Sequence, residues 1–154
     1  MTTTKFEVGD PEMAPAAELL AEMSVELGVL YWDASRLDRP KLTPTELRAP
    51  AGTYLVGWQD TDAVAGGGVR PFADGLGEIK RMFVRPDFRS QGIAGALLAA
   101  LEDAARALGY RAVRLDTGPK QLHALQLYRG AGYEEIAPYN DNPFACFWGE
   151  KALV

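Results

Sequence analysis

The stretch EIKRMFVRPDFRSQGIAGALL, Glu78 to Leu98, changes character at its middle. Glu78 to Val84 reads as a strand, and Pro86, which cannot donate to a sheet ladder, ends the pairing near Val84 and Arg85. From Gln91 to Leu108 runs the strongest helix in the chain, rich in Ala and Leu and closed by Gly109. A strand delivered straight into a helix exposes the helix's first N–H groups, which lack internal partners and with the macrodipole make an anion site. Gly92 and Ala94 put little or no side chain over that end, and Arg89 supplies positive charge. Arg89, Ser90, Gln91, Gly92, Ile93 and Ala94 thus form a candidate phosphate cradle, and the polar groups of the strand before Pro86 are open to an extended, amide-bearing ligand. The six residues by themselves fit equally a glycine kept for tight helix packing.

Working outward, Lys5 to Val8 is an opening strand, and Asp10-Pro11 has the form of an acidic N-cap with Pro at the first helical position. Apolar residues at Ala16, Leu19, Leu20, Met23 and Leu27 recur at helical spacing up to Gly28. Thr43-Pro44-Thr45-Glu46 carries a capping box for a second, short helix. Thr53 to Trp58, Ala63 to Arg70 and Glu78 to Val84 are three strands of an antiparallel meander, separated by turn-rich QDTD and PFADGLG. After the long helix come a strand over Arg111 to Asp116, a helix over Gln121 to Arg129, and strands over Tyr133 to Ile136 and Phe144 to Lys151. The order βα(α)βββαβαββ specifies an α+β (mixed α/β) domain.

With 154 residues, 47% of them hydrophobic, the chain is long enough for one domain with a core and too short for two ordinary ones, so residues 1–154 are read as a single domain. One cysteine, Cys146, and no basic-then-apolar N-terminus point away from a disulfide scaffold or secretion. No apolar run reaches bilayer length. The expectation is a cytoplasmic protein without membrane contact. A net charge of −5 disfavours nucleic acid as a partner. The single histidine, His123, has no ligand-spaced neighbours, so no metal is expected. Gly66-Gly67-Gly68 lies inside a strand with no helix after it, which sets aside a dinucleotide fold, and no Gly-Lys-Ser/Thr follows a glycine loop as a P-loop requires.

EIKRMFVRPDFRSQGIAGALL, then GYRAVRLDTG, then ALQLYRGAGYEEI, resembles in motif and order the GNAT superfamily of acetyl-CoA-dependent N-acetyltransferases. The resemblance covers about Tyr54 to Leu153 well, and the part before it only in outline. It implies a GNAT fold: a six- to seven-stranded, mostly antiparallel sheet with a central splay and about four flanking helices. It implies that acetyl-CoA is the co-substrate, with its pyrophosphate on the backbone of Arg89 to Ala94 and its pantetheine along Met82, Phe83 and Val84. Tyr128 falls where many members keep a tyrosine that protonates the departing thiolate. A phenol with an ordinary pKa near 10 suits that task, although Tyr128 could also serve by shape alone. Gln121 stands where the family often has Asn, with a longer stem for the same amide contacts.

Amine acetylation needs a neutral nitrogen, so a proton acceptor is required. Members that use a glutamate base keep it about four residues before the backbone pantetheine contact, which matches Glu78 to Met82. The strand period places Glu78, Lys80, Met82 and Val84 on one face. The alternative for Glu78 is a strand-end charge paired with Lys80 or Arg81. Asp116 lies near the splay, either to orient acceptor or base or to make a structural hydrogen bond. In the family the acceptor is chosen by the first helix–helix connection and the loop between the last strands. Here these offer Tyr31, Trp32, Asp33 and Asp38, then Tyr139, Asn140 and Asp141. Aromatic faces beside carboxylates suit a cationic amine, or else they cap the core and are solvated. The resemblance thus implies direct transfer from acetyl-CoA to a primary amine, of a small molecule, peptide or lysine. The alternative is an acyl-CoA-binding module without turnover. Members often dimerise, so a homodimer is a possible assembly.

Overall fold

The computed structural model describes residues 3–30 and 42–154. A seven-stranded sheet, in the order β1-β2-β3-β4-β5-β7-β6, organises it. The strands are β1 (Lys5–Val8), β2 (Thr53–Gln59), β3 (Asp62–Ala73), β4 (Leu76–Val84), β5 (Ala112–Thr117), β6 (Glu134–Glu135) and β7 (Phe147–Ala152). The helices are α1 (Ala16–Leu30), α2 (Ile93–Ala107) and α3 (Leu122–Gly130), with single 3-10 turns at Pro44–Leu47 and Pro86–Phe88. The α+β fold, the mostly antiparallel sheet and the order of elements agree with the sequence reading.

Both faces of the central strands are covered. On one face Val64, Val69 and Ile79 meet Leu97, Leu98, Leu101 and Ala105 of α2. These helical positions form one stripe at the 3.6-residue period, and burying each leucine contributes about 2 kcal/mol. On the other face Leu19 and Met23 of α1 pack with Leu47, Tyr54, Val56 and Phe83. The Gly66–Gly68 run is a matter of space: a Cβ at Gly66 would overlap the Tyr54 hydroxyl, and one at Gly67 would lie 3.0 Å from Leu101.

Three expectations are corrected: both ends of the first helix, the kind of the second helix, and the facing along β4. The first helix begins at Ala16, not after Asp10. The Asp10 carboxylate accepts the Glu12 N–H at 2.9 Å and pairs with Arg48 at 2.7 Å. Pro15 then biases Ala14 away from helical backbone. Nor does Gly28 stop the helix, which runs on to Leu30, whose carbonyl accepts from Lys120 Nζ at 2.7 Å. The short helix after Thr43 is a single 3-10 turn, where the Glu46 carboxylate accepts from the Thr43 N–H at 3.3 Å.

The third correction concerns β4. Gly66 pairs with Phe83 but Gly68 pairs with Lys80, so two residues of β4 face one of β3, and Arg81 takes φ +61°. This β-bulge breaks the two-residue period. Ile79, Met82 and Val84 therefore lie on the α2 side, while Phe83 lies on the α1 side. Glu78 and Lys80 do not share a face with Met82 and Val84.

Among the described residues the only parallel pair is β4 with β5, registered over Leu76↔Ala112, Gly77↔Val113 and Glu78↔Arg114. Beyond Glu78, β4 stays with β3 up to Val84, and β5 stays with β7 up to Thr117. The two strands diverge there, giving the central splay.

Candidate active site

The candidate cofactor side of the fork follows from backbone. Arg85 donates its N–H to Val64 of β3 at 2.8 Å. Alternate residues send their polar groups to opposite edges, so the N–H and carbonyl of Val84 turn toward the open fork. Four residues downstream of the strand, Gly92 caps α2 with φ +79°, and Ser90 before it has φ +65°. A Cβ at Gly92 would meet nothing within 4 Å, so glycine is there for its backbone conformation and for the bare approach it leaves. The first backbone bond of the helix runs from Ala96 to Gly92, leaving the earlier N–H groups of the turn for a ligand. The Arg89 side chain points elsewhere: Nε donates to the Val84 carbonyl at 2.8 Å and the guanidinium pairs with Glu26 of α1 at 2.7 Å.

Tyr128 of α3 is buried, and its hydroxyl donates to Met82 Sδ at 3.7 Å. Burial, and then the Asp116 carboxylate, raise its pKa above the ordinary phenol value, so it stays protonated. Tyr133 packs on it with ring centroids 5.9 Å apart. On β5, Thr117 follows Val113 and Leu115 on the same face, and its Oγ1 is buried without a hydrogen-bond partner. An unpartnered hydroxyl, a bare helix start and an open strand edge on one face fit the amide-rich arm and pyrophosphate of acetyl-CoA.

The opposite face is charged. Glu78 is 1% exposed. Its carboxylate accepts from Arg70 at 3.1 Å and from the Tyr139 hydroxyl at 2.7 Å, and lies 3.4 Å from Lys80 Nζ. Lys80 reaches Asp116 on β5 at 3.8 Å. Asp116 accepts from Asn140 at 2.7 Å, whose own Oδ1 accepts from the Trp148 indole at 2.9 Å. Arg70 also pairs with Glu46 at 2.7 Å. Tyr139 sits edge-on to Phe72 at 5.0 Å, under the Arg114 guanidinium. Burial first, then Glu78 and Asp116, push the Tyr139 pKa upward.

A family model described as the acetyltransferase (GNAT) family matches residues 18–133. The chain belongs to the GNAT family. It is 34% identical over 149 residues to an IAA acetyltransferase of Azospirillum brasilense, spanning 93% of this chain and 94% of that relative. A GNAT family acetyltransferase of Staphylococcus aureus superposes with a TM-score of 0.74 at 15% identity, over 99% of this chain and 100% of that one. Another, from Elizabethkingia anophelis with acetyl-CoA bound, gives 0.68 at 16% identity over 97% of each chain. At those identities the likeness is one of fold. This GNAT protein is an acetyltransferase, of a family whose acetyl donor is acetyl-CoA.

Within the GNAT fork, Tyr139 bonds Glu78 and Asn140 bonds Asp116, the two pairs being joined through the ion pairs of Lys80, and Met82, Val84, Tyr128 and the Arg89–Ala94 loop gather on the other side. Phe83 points away from the cofactor face into the α1 core. Gln121 folds back on its own turn, its Oε1 accepting the Gly118 N–H at 3.4 Å. Tyr31, Trp32, Asp33 and Asp38 lie outside the described residues. Cys146 precedes β7, and its N–H donates to the Thr117 carbonyl at 2.9 Å, so it is far from the fork only in sequence. Among the described residues no helix is long and apolar enough to cross a membrane, and no group of three His, Cys, Asp or Glu side chains could hold a metal. Lys80 was expected as a partner of Glu78, and the two lie 3.4 Å apart; Arg70, Thr117 and Trp148 were not anticipated. Opposite charges at Arg70 and Glu78 on successive strands were the one available clue.

Proposed function

We propose that the protein is an N-acetyltransferase that transfers the acetyl group of acetyl-CoA directly to a primary amine in a ternary complex. The observation that carries this is the fork itself, where a buried, protonated phenol on one face and a carboxylate network on the other flank the same open edge of β4. The backbone of Ser90 to Ala94 would hold the pyrophosphate, and Val84 the pantetheine amides. Tyr128 Oη then supplies a proton to the sulfur as the carbon–sulfur bond breaks. The amine nitrogen forms the new bond to the acetyl carbon and surrenders its proton toward Glu78.

Three donors already occupy much of the Glu78 carboxylate, which favours proton acceptance through a water over direct contact. Glu78 and Asp116 draw an acceptor in its ammonium form to the fork, beside the Tyr139 ring. No acyl-enzyme is required. The test is free-thiol release from acetyl-CoA over a panel of amines, with Tyr128→Phe and Glu78→Gln alongside. Amine-dependent release that both changes depress supports the reading. Tight acetyl-CoA binding with no release from any amine, indifferent to both changes, refutes it.

A further inference from the structure

We infer that Tyr133 is a positioning residue for Tyr128, holding the proton-donating phenol in place through a buried tether to Glu102 and Lys151. This rests on the N-acetyltransfer reading above, in which Tyr128 is the acid.

A phenol that is to protonate sulfur cannot be tied down at its tip. The Tyr128 hydroxyl has the weak acceptor Met82 Sδ at 3.7 Å, so the setting of the ring depends on its neighbours. Nor does the helix that carries it fix that setting. α3 has nine residues, fewer than a helix needs to keep its form alone, so its orientation comes from what packs on it.

α3 ends in a Schellman turn. Gly132, at φ +95°, donates its N–H to the Arg129 carbonyl at 3.2 Å, and Tyr133 donates its N–H to the Tyr128 carbonyl at 3.1 Å. That motif sets the residue just past the turn against the one whose carbonyl it binds. Here both are tyrosines, with ring centroids 5.9 Å apart. One backbone bond and one ring contact thus join Tyr128 to Tyr133 directly.

The far end of Tyr133 is anchored. Tyr133 is 4% exposed, and its hydroxyl donates to one oxygen of the Glu102 carboxylate on α2 at 2.8 Å. The other oxygen accepts from Lys151 of β7 at 3.0 Å, and the Lys151 ammonium lies 5.8 Å from the Tyr133 ring centroid. Both carboxylate oxygens are occupied, which makes Glu102 an anchor and not a second base. The contacts run from β7 through α2, the helix whose start forms the cradle, to the acid. Filling this space needs only a phenylalanine and two aliphatic side chains, and such replacements of a buried ion pair are often as stable or more so. A directional bond adds what apolar packing lacks, a preferred distance and angle. The polar tether is therefore assigned to the placement of Tyr128.

The test is a double-mutant cycle. Thiol release is followed for Tyr133→Phe, Glu102→Leu and Glu102→Gln, each alone and each in the Tyr128→Phe background, at a temperature below the melting range of every variant. Tyr133→Phe and Glu102→Leu should each lower kcat by about three- to tenfold, with KM for acetyl-CoA and for the amine unchanged. Glu102→Gln, which keeps an acceptor for the Tyr133 hydroxyl, should retain most of the rate. None of the three should lower the residual rate of Tyr128→Phe. An unchanged kcat in Tyr133→Phe overturns the inference, as does the same fold-loss with and without the Tyr128 hydroxyl. Should Tyr133→Phe fail to fold, the Glu102 variants decide by the same criteria. If no amine releases thiol, the acetyltransfer reading fails separately. NMR of protein with 13C-labelled tyrosine rings, saturated with CoA, then decides the inference. The Tyr128 signal, assigned by its loss in Tyr128→Phe, should move or broaden in Glu102→Leu, a change that leaves both rings in place. A Tyr128 signal unaltered by Glu102→Leu overturns the inference.

Discussion

The two faces of β4 are built from different materials. Toward α2 and α3, Met82, Val84, Thr117 and Tyr128 present neutral groups fixed by packing. Toward α1, Glu46, Arg70, Glu78, Lys80 and Asp116 alternate in sign across three strands and a turn. On the function proposed here, the difference follows from what each face handles. A cofactor that brings its own phosphates asks for backbone donors and a proton source that does not ionise. An amine that must lose a proton asks for carboxylates held in place, and carboxylates buried there must be compensated by cations.

The comparison breaks first at Tyr128. Tyr128→Phe keeps the ring and removes the proton, so turnover should fall about 10²- to 10⁴-fold with KM for acetyl-CoA little changed. Initial rates of thiol release check this. A loss confined to KM would make the residue part of the binding surface instead.

The cofactor loop comes next. Gly92→Val places a β-branched residue at φ +79°, where there is room for the side chain but not for the backbone state. Acetyl-CoA should bind about tenfold more weakly or worse, with about 1–3 kcal/mol of stability lost. Calorimetry and melting curves measure the two separately.

Stability against pH tests the buried and half-buried phenols on both faces together. Tyr54, Tyr128, Tyr133 and Tyr139 all have pKa values raised, foremost by burial. A raised value means that the folded state holds the proton more tightly than the unfolded chain does. Their contribution is therefore complete below the unfolded phenol value of about 10 and is lost as pH climbs above it. Melting temperature should decline steeply beyond about pH 10, with tyrosinate absorbance rising only as the protein unfolds. Tyrosinate appearing at ordinary pH in an intact fold would contradict the assignment.

The smallest effect belongs to the contact between the faces. Glu26→Gln releases Arg89 from a partly exposed pair worth no more than about 1 kcal/mol, so acetyl-CoA affinity should rise by at most several-fold, most visibly at low salt. A weaker affinity would mean that Glu26 aims Arg89 rather than competing for it.

What the sequence revealed of this site depended on range. The cradle was readable because everything that makes it, Pro86, Gly92 and the helix after it, is consecutive. Tyr128 and Glu78 came through a resemblance and not through local physics. The Arg70–Glu78 pair stayed hidden because the hairpin around Asp74-Gly75 carries a register shift between Pro71 and Ala73, so counting outward from the turn misses it by one. Asp116, Asn140 and Trp148 meet only because β5 pairs with β7, placing Asp116 opposite Trp148. No spacing along the chain encodes that. The start of α1 was misplaced because Asp10-Pro11 has the form of a helix cap, while Pro15, four residues on, decides where the helix can begin.

The bulge also sets what kind of edit β4 tolerates. Removing one residue from a strand ordinarily inverts everything beyond it, since facing is a matter of odd and even. At Arg81 the parity runs the other way. With that residue gone, Ile79, Lys80, Met82, Phe83 and Val84 alternate without interruption and each keeps its present side, and Gly67 acquires a single partner in place of two. A one-residue deletion there is thus the frame-preserving change, and flattening the strand with Arg81 still in it is the frameshift.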